Sequence, residues 1–302
     1  MATVDRSKRL RDPRHDHGAV DRSAVGTGAI AGVVLRGAVV LAALRCRYEP
    51  SLWRDEARAQ TTRLLAGTRA GTVSGRDHDG VAPRCYRSRR GEPPLWLRPG
   101  TGDSAVWGEV NVRGVYEPPW PIPSRSRVLD LGGHAGYFAR WALTNWPVAR
   151  MVSVEPDDAN ANLLERNAQT LADPRWSLVL AAASSSSGTA AFAGGRGCGS
   201  GLRDGGEDTV QTVDGLELLA DCEFAKIDIE GAEWLLLNDE RFSDSGPPML
   251  VLEYHPCDGV IDPASKARQR LESYGYEVRD GHPEEVPGVG VLWARRPANA
   301  RG

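Results

Sequence analysis

The chain has 302 residues, 41% of them hydrophobic and 25% charged, with a formal net charge of -3. That length accommodates one large α/β domain with an added N-terminal section, and the composition excludes a globally disordered chain. The near-neutral balance gives no whole-chain attraction for nucleic acid or another polyanion. The five cysteines (Cys46, Cys85, Cys198, Cys222 and Cys257) are odd in number and have no CxxC spacing. That argues against a disulfide framework and a zinc site, and fits a reducing cytoplasm.

In chain order, residues 1–23 read as a charged tail. The segment Ala24 to Leu44 is largely apolar and follows a basic start (Arg6, Lys8, Arg9, Arg11). Arg36 and four glycines (Gly26, Gly28, Gly32, Gly37) interrupt it, so a membrane anchor is not expected and residues 1–45 read as a disordered or loosely packed arm, with a packed N-terminal helix as the alternative. Residues 46–123 form an N-terminal extension and linker. It holds a helix from about Leu52 to Gly67, a loop over 68–80, short strands at Cys85–Ser88 and Leu95–Arg98, and a linker marked by Pro118, Pro119, Pro121 and Pro123. A basic stretch (Arg84, Arg87, Arg89, Arg90, Arg98) reads first as a solvated face, with binding of an anionic substrate as the alternative. An acidic run (Asp214, Glu217, Asp221, Glu223, Asp228, Glu230, Glu233) also reads as a solvated face.

From 124 to 297 strands and helices alternate. Strands are predicted at Arg127–Leu131, Met151–Glu155, Leu178–Ala182, Phe224–Ile229 and Met249–Glu253. Helices are predicted at Ala135–Thr144, Asp157–Leu171, Glu230–Leu237 and Ala264–Tyr274. Tyr276–Arg279 and Gly290–Ala294 make a closing antiparallel pair. This order predicts a mostly parallel α/β sheet with helices on both faces. Ser184–Ser187 and Gly194–Gly201 read as loops.

Three motifs carry chemistry. In the first, Val128-Leu129-Asp130-Leu131-Gly132-Gly133-His134-Ala135-Gly136-Tyr137-Phe138, a strand ends in a carboxylate, a glycine-rich turn follows and a helix begins. Its glycines permit close backbone approach and positive φ, and the helix start offers free N–H groups, which suits any nucleotide-like ligand. In the second, Val152-Ser153-Val154-Glu155-Pro156, a strand ends in an acid able to accept hydrogen bonds from ribose hydroxyls, a spacing that a dinucleotide dehydrogenase also uses. The turn separates the two ligands. Its pattern is Asp-x-Gly-Gly-x-x-Gly, not GxGxxG; a carboxylate before the glycines repels a pyrophosphate and attracts the amino group and sulfonium of S-adenosylmethionine. In the third, Phe224-Ala225-Lys226-Ile227-Asp228-Ile229-Glu230-Gly231-Ala232-Glu233-Trp234, a strand delivers Asp228 to the carboxyl edge of the sheet, where ligands bind. Glu230 and Glu233 read equally as charges favouring a helix N-terminus.

These motifs, with Leu97-Arg98-Pro99-Gly100-Thr101-Gly102-Asp103, Gly114-Val115-Tyr116-Glu117, Asn162 to Asn167, Thr212-Val213-Asp214 and Glu253-Tyr254-His255, resemble the FkbM family of methyltransferases over about Leu97 to His255. The resemblance implies a class I (Rossmann-like) methyltransferase fold, S-adenosylmethionine as cofactor, and methylation of a hydroxyl on a small molecule, often a sugar or natural-product scaffold. Asp130, Gly132, Gly136 and Glu155 match the family's cofactor positions; Gly133, His134, Tyr137, Pro156 and Ala182 complete the expected cofactor set. His134 departs from the Asn usual there.

For proton removal the candidates are Asp228 and His255, with Lys226 on the same strand face as Asp228 to tune it. Asp228 and Glu253 offer oxygens to Mg²⁺, but without a third clear ligand no metal site is predicted. The rival readings are a catalytically degenerate methyltransferase-like binding domain and an NAD(P)-dependent oxidoreductase. Nucleic-acid methylation lacks its usual Asn- or Asp-Pro-Pro-aromatic tetrad at the fourth strand.

Overall fold

The computed structural model describes residues 38–65, 81–194, 201–202, 206, 208–282 and 286–297. The extension contains helix α1 (38–47), α2 (Pro50–Leu65), the antiparallel pair β1 (Arg84–Tyr86) and β2 (Leu95–Leu97), and α3 (Asp103–Gly108), which runs on into a π-helical turn, Glu109–Arg113. Residues 38–45, expected within the loose arm, are helical, and Leu44 is fully buried in the core. The rest of that arm, and the loop expected over 68–80, lie almost wholly outside the described residues. Among the described residues no helix is long and apolar enough to cross a membrane.

The main sheet is built from β3 (Ser126–Leu131), β4 (Val148–Glu155), β5 (Trp176–Leu180), β10 (Phe224–Ile227), β11 (Met249–Tyr254), β12 (Glu277–Asp280) and β13 (Gly290–Arg295). Its order is β12-β13-β11-β10-β3-β4-β5. The five strands from β11 to β5 run parallel, and β13 and β12 close the edge antiparallel. Central strands β3 and β10 are buried at all positions but Arg127 because both faces are covered. The chain leaves β3 toward β4 on one side, whereas β10 and β11 extend the sheet on the other. The switch point therefore lies between β3 and β10, where an open α/β sheet leaves a crevice at its carboxyl edge.

Alternation along the strands sorts the core into two layers. Val128, Met151, Phe224, Met249 and Val251 face α4 (Tyr137–Asn145), α5 (Asp158–Leu171) and the N-terminal extension. Leu129, Val154, Ala225, Ile227, Leu250 and Leu252 face α6 (Gly215–Ala220), α7 (Glu233–Leu237), α8 (Phe242–Ser245) and α9 (Pro263–Ser273). The α5 start is fixed by Asp157, whose carboxylate accepts from the N–H groups of Ala159 and Asn160 at 3.0 and 3.1 Å. The expected α/β fold, mostly parallel with helices on both faces and an N-terminal extension, is the one observed.

The predicted third strand breaks at Ala181. Its last residue, Ala182, enters a second sheet, β6 (Ala182–Ser184), β7 (Gly188–Ala193), β8 (Gly201–Leu202) and β9 (Asp208–Asp214), in the order β6-β9-β7-β8. This sheet replaces part of the region read as loops. The acidic run is also not one solvated face: Asp214 caps α6, and Glu233 is fully buried. Nor does Arg98 belong to an exposed basic face, since it is 2% exposed.

Candidate active site at the sheet switch point

The first and third motifs meet at the switch point. Gly132 follows β3 with φ of 82°, and a Cβ there would overlap the carbonyl oxygen of Asp228. Glycine is thus required on two counts, backbone sign and close approach. The N–H groups of Gly132 and Gly133 both donate to the Val154 carbonyl at 3.0 Å, tying the turn to the end of β4. Gly136 enters α4 with φ of 79° and no side-chain cap, so that helix opens with unsatisfied N–H groups. His134 has φ of 46°. Asn and His are among the few non-glycine residues enriched in that region, so the His-for-Asn departure keeps a residue type the turn tolerates.

Glu155 ends β4 beside this turn. Its carboxylate accepts from His134 N (2.8 Å), Asp157 N (3.0 Å) and Asn160 Nδ2 (3.3 Å). Burial works against its charge more strongly than these donors support it, and its pKa is pushed up to about 7. Pro156 follows at the crevice edge. Two other expected cofactor residues lie deeper. Ala182 is buried in β6, and the Tyr137 hydroxyl donates backward to the Trp96 carbonyl at 3.3 Å.

Asp130 is sealed in the sheet. It accepts from Ser153 Oγ at 3.0 Å, and Lys226 Nζ stands 3.4 Å from its other oxygen. Burial holds the Asp130 pKa above the ordinary value, with Lys226 opposing. The register pairs Ser153, Asp130 and Lys226 side by side across β4, β3 and β10, so period-two alternation lays one polar row over the α4 face. Lys226 is the hub. Its ammonium donates to Gly132 O at 2.9 Å and pairs with Asp228 Oδ2 at 3.1 Å. Burial disfavours the charge, but Asp228 and Asp130 outweigh it and raise the pKa further, so Lys226 is a fixed cation.

Past Lys226 the row reaches a cluster. Tyr116, 5.6 Å below the ammonium, donates its hydroxyl to Asp228 Oδ2 and Glu253 Oε2, both at 3.2 Å. Asp228, Glu253 and His255 bring one side-chain donor atom each within 4.8 Å of one another. The Asp228 carboxyl titrates below the ordinary value: burial pushes it up, and Lys226 and His255 overcome that. Glu253 moves up instead, through burial and the neighbouring Asp228 charge. His255 is anchored by Glu233, whose Oε1 accepts from the His255 backbone N–H at 2.8 Å and lies 3.2 Å from Nδ1. Its Nε2 lies 3.5 Å from Glu230 Oε2. Burial opposes the imidazolium, but the Glu233 hydrogen bond and the Glu230 charge lift the pKa to about 10. Glu230 has φ of 55° in the tight turn after β10, strain of a kind that concentrates at functional sites.

The structure thus brings Lys226, Asp228 and His255 together and sets Glu155 against the glycine turn at His134. Four further contributors stood in the motifs without these roles. Tyr116 bridges the carboxylates; Glu233 orients His255; Arg98 and Asp103 form a buried pair at 2.7 Å. Arg98 also donates to Asn160 Oδ1 at 2.8 Å, and Asp103 lies 3.6 Å from His134 Nε2. That pair fastens the extension to the glycine turn. The signal for each was its place in a recurrent motif, not its spacing.

With this geometry in hand, the class is that of a Rossmann-like methyltransferase domain. Residues 130–278, about half the chain, match the family model described as "Methyltransferase FkbM domain", and the chain carries a domain of that family. No curated protein sequence matches. Among solved structures, an FkbM methyltransferase from Methylobacillus flagellatus KT is 17% identical, with a TM-score of 0.41, over 56% of this chain and 43% of that one. M. jannaschii TYW2 in complex with AdoMet is 14% identical, with a TM-score of 0.42, over 71% and 87%. A putative transferase, PH0793, from Pyrococcus horikoshii is 12% identical, with a TM-score of 0.44, over 81% and 84%.

Proposed function

We propose that the chain is an S-adenosylmethionine-dependent O-methyltransferase acting on a hydroxyl of a small molecule such as a sugar or natural-product scaffold. The observation that carries this reading is the contact of Gly132 with the Asp228 carbonyl. It joins a nucleoside-type half-site, the glycine turn and Glu155, to a proton-handling half-site, Tyr116, Lys226, Asp228, Glu253 and His255.

The residues fit the cofactor. Glu155 retains lone pairs for ribose hydroxyls beyond the three donors it already accepts. The turn at Gly132, Gly133 and Gly136 admits close backbone approach, and the carboxylates of Asp130 and Asp228 exceed the single charge of Lys226, which favours a cationic ligand. When bound, S-adenosylmethionine supplies an electrophilic methyl group. The protein holds the acceptor oxygen in line with it, and alignment of this kind is worth about 7–11 kcal/mol.

The acceptor proton must also leave. Lys226 is a fixed cation and Asp228 is satisfied by Lys226 and Tyr116, so neither accepts it readily. In the free chain His255 already holds a proton at neutral pH. Glu253, with its raised pKa, is the member whose proton affinity lies nearest neutrality. The buried Tyr116 phenol is held protonated by burial and its acidic neighbours, and it donates to Glu253 as that carboxylate forms.

The test is calorimetric titration of the full chain with S-adenosylmethionine and, separately, NADH. An acceptor panel of hydroxylated sugars and natural products follows, read by mass spectrometry and by the O–CH₃ resonance. Binding of the methyl donor alone and an O-methyl product are expected. A folded chain that ignores the methyl donor overturns the assignment; a methyl group found on nitrogen or carbon overturns the O-specificity.

A further inference from the structure

The structure assigns a divalent-cation site to Asp228, Glu253 and His255, at the acceptor end of the crevice. Its role in catalysis rests on the methyl-transfer reading above; its existence does not.

Three observations support it. First, the set is mixed: two carboxylates and one imidazole from two neighbouring strand ends converge within 4.8 Å of one another. An ion with oxygen ligands at about 2.1 Å sets ligand–ligand separations of roughly 3.0–4.2 Å, so closure needs side-chain movement of under about an ångström. Second, His255 is oriented as metal-bound histidines are. Its Nδ1 faces the fully buried carboxylate of Glu233 at 3.2 Å, which makes Nε2 the ligand nitrogen, and an ion bound there would displace the Nε2 proton that now faces Glu230. Glu233 is itself fixed by the N–H groups of Gly231 and His255, both at 2.8 Å. Third, the carboxylates keep oxygens to give. Tyr116 and Lys226 engage only Asp228 Oδ2 and Glu253 Oε2. Asp228 Oδ1 and Glu253 Oε1 accept no hydrogen bond among the described residues. Glu230 Oε2 lies 3.5 Å from Nε2 at the edge of the set.

Charge points the same way. Four carboxyl groups, Asp228, Glu253, Glu230 and Glu233, face two cations, Lys226 and the His255 imidazolium, and the second is given up when Nε2 takes the ion. Two carboxylate oxygens and one imidazole nitrogen suit an ion of the Mg²⁺ or Mn²⁺ class, which prefers oxygen and accepts one nitrogen. Bound there, the ion would lower the pKa of an acceptor hydroxyl placed on it, taking over from Glu253 the task of favouring the alkoxide. The hydroxyl proton would pass to solvent, the carbon–oxygen bond would form as the carbon–sulfur bond broke, and no oxidant or reductant is needed.

The test uses the full chain with Mn²⁺ alone, read by loss of the free-ion electron paramagnetic resonance signal, then displaced by Mg²⁺. One Mn²⁺ per chain is expected. Affinity should fall at least about tenfold in Glu253→Gln, which removes a ligand, and about 10–100-fold in Glu233→Gln, which only orients His255. Glu240→Gln, an exposed charge change away from the cluster, should leave binding unaltered. Circular dichroism confirms folding, and Glu253→Gln relieves a like-charge contact, so it is the safer variant. No Mn²⁺ uptake by the folded wild-type chain, or equal loss in Glu240→Gln, overturns the site. S-adenosylmethionine titrated into the same preparation separates the two readings. Cofactor binding without Mn²⁺ uptake sinks only the cation site, and Mn²⁺ uptake without cofactor binding sinks only the methyl-transfer assignment.

Discussion

The two faces of the central sheet come from the same strands and do different work. On the α6–α9 face, Leu129, Ala225, Ile227, Leu250 and Leu252 form an uninterrupted apolar layer. On the α4 face the same strands begin apolar, with Val128, Phe224 and Met249, and end polar, with Asp130, Ser153, Lys226 and Glu253. The N-terminal extension covers that polar end and supplies Tyr116. One face is therefore built for burial. The other trades burial for a linked row of charges, tolerable only because each charge has a partner. Changes on the first face should cost stability and leave binding intact; changes on the second should alter binding as well.

The largest effect is expected at Lys226. Lys226→Met leaves Asp130 and Asp228 buried without their shared cation, and breaking such a pair costs about 3–5 kcal/mol. It also removes the donor that holds the Gly132 carbonyl at 2.9 Å, so cofactor binding should disappear with it. The matched change on the other face, Leu250→Ala, should cost about 2–5 kcal/mol through its cavity. Its cofactor affinity should match wild type wherever the chain remains folded. Chemical denaturation and calorimetry on both variants check this. Equal effects on affinity would erase the division between the faces.

Gly132→Ala comes next. The added methyl overlaps the Asp228 carbonyl, and φ of 82° disfavours any side chain. The two motif turns must separate, and displacement of that order costs about 100-fold in reactivity. Product formation measures it, with thermal unfolding as the control for global damage.

Glu155 provides a pH test on the same face. Its pKa in the folded chain is about 7, against an ordinary 4.5. Between those values the folded chain binds the proton more tightly than the unfolded one, so this group's contribution to stability falls as pH rises from 4.5 to 7 and is constant above. Ribose recognition needs the carboxylate. Cofactor affinity should therefore fall about tenfold per pH unit below 7 and level off above it. Glu155→Gln should bind more weakly at pH 8 and lose that slope. A wild-type affinity flat from pH 5.5 to 8 would remove Glu155 from cofactor binding.

Much of this was legible from the chain. Strand-like segments alternating with helix-like ones gave β3, β4, β10 and β11 to within a few residues, and Asp157 marked the start of α5. The second sheet was not legible, because strands such as Gly188–Ala193 and Asp208–Asp214 are short, mixed in polarity and rich in small residues. Their pairing is set by tertiary contact, not by period. In the site, Asp228 and Lys226 followed from strand alternation. Glu233 did not, since an acid in the first turn of a helix satisfies the helix dipole equally well. Only the fold shows that it turns inward to the backbone and ring of His255, 22 positions later.

Tyr116 is the hardest of the site residues to find by pattern and gives the smallest expected effect. It lies 112 positions from Asp228 and 137 from Glu253, in an extension that no strand or helix period links to the sheet. Tyr116→Phe keeps the ring, and with it the edge-on contact to Phe138 at 5.2 Å, and deletes only the donor. Loss of that donor should cost about 0.5–1.5 kcal/mol, softened because water can replace the hydroxyl at a partly open cluster. The hydrogen bond favours the ionised carboxylates, so removing it raises their proton affinity and moves the acid limb of the methylation profile to higher pH. A rate reduced about tenfold or less, a displaced acid limb and unaltered cofactor affinity would place the extension in the chemistry of the polar face. An unmoved profile would leave it as that face's cover.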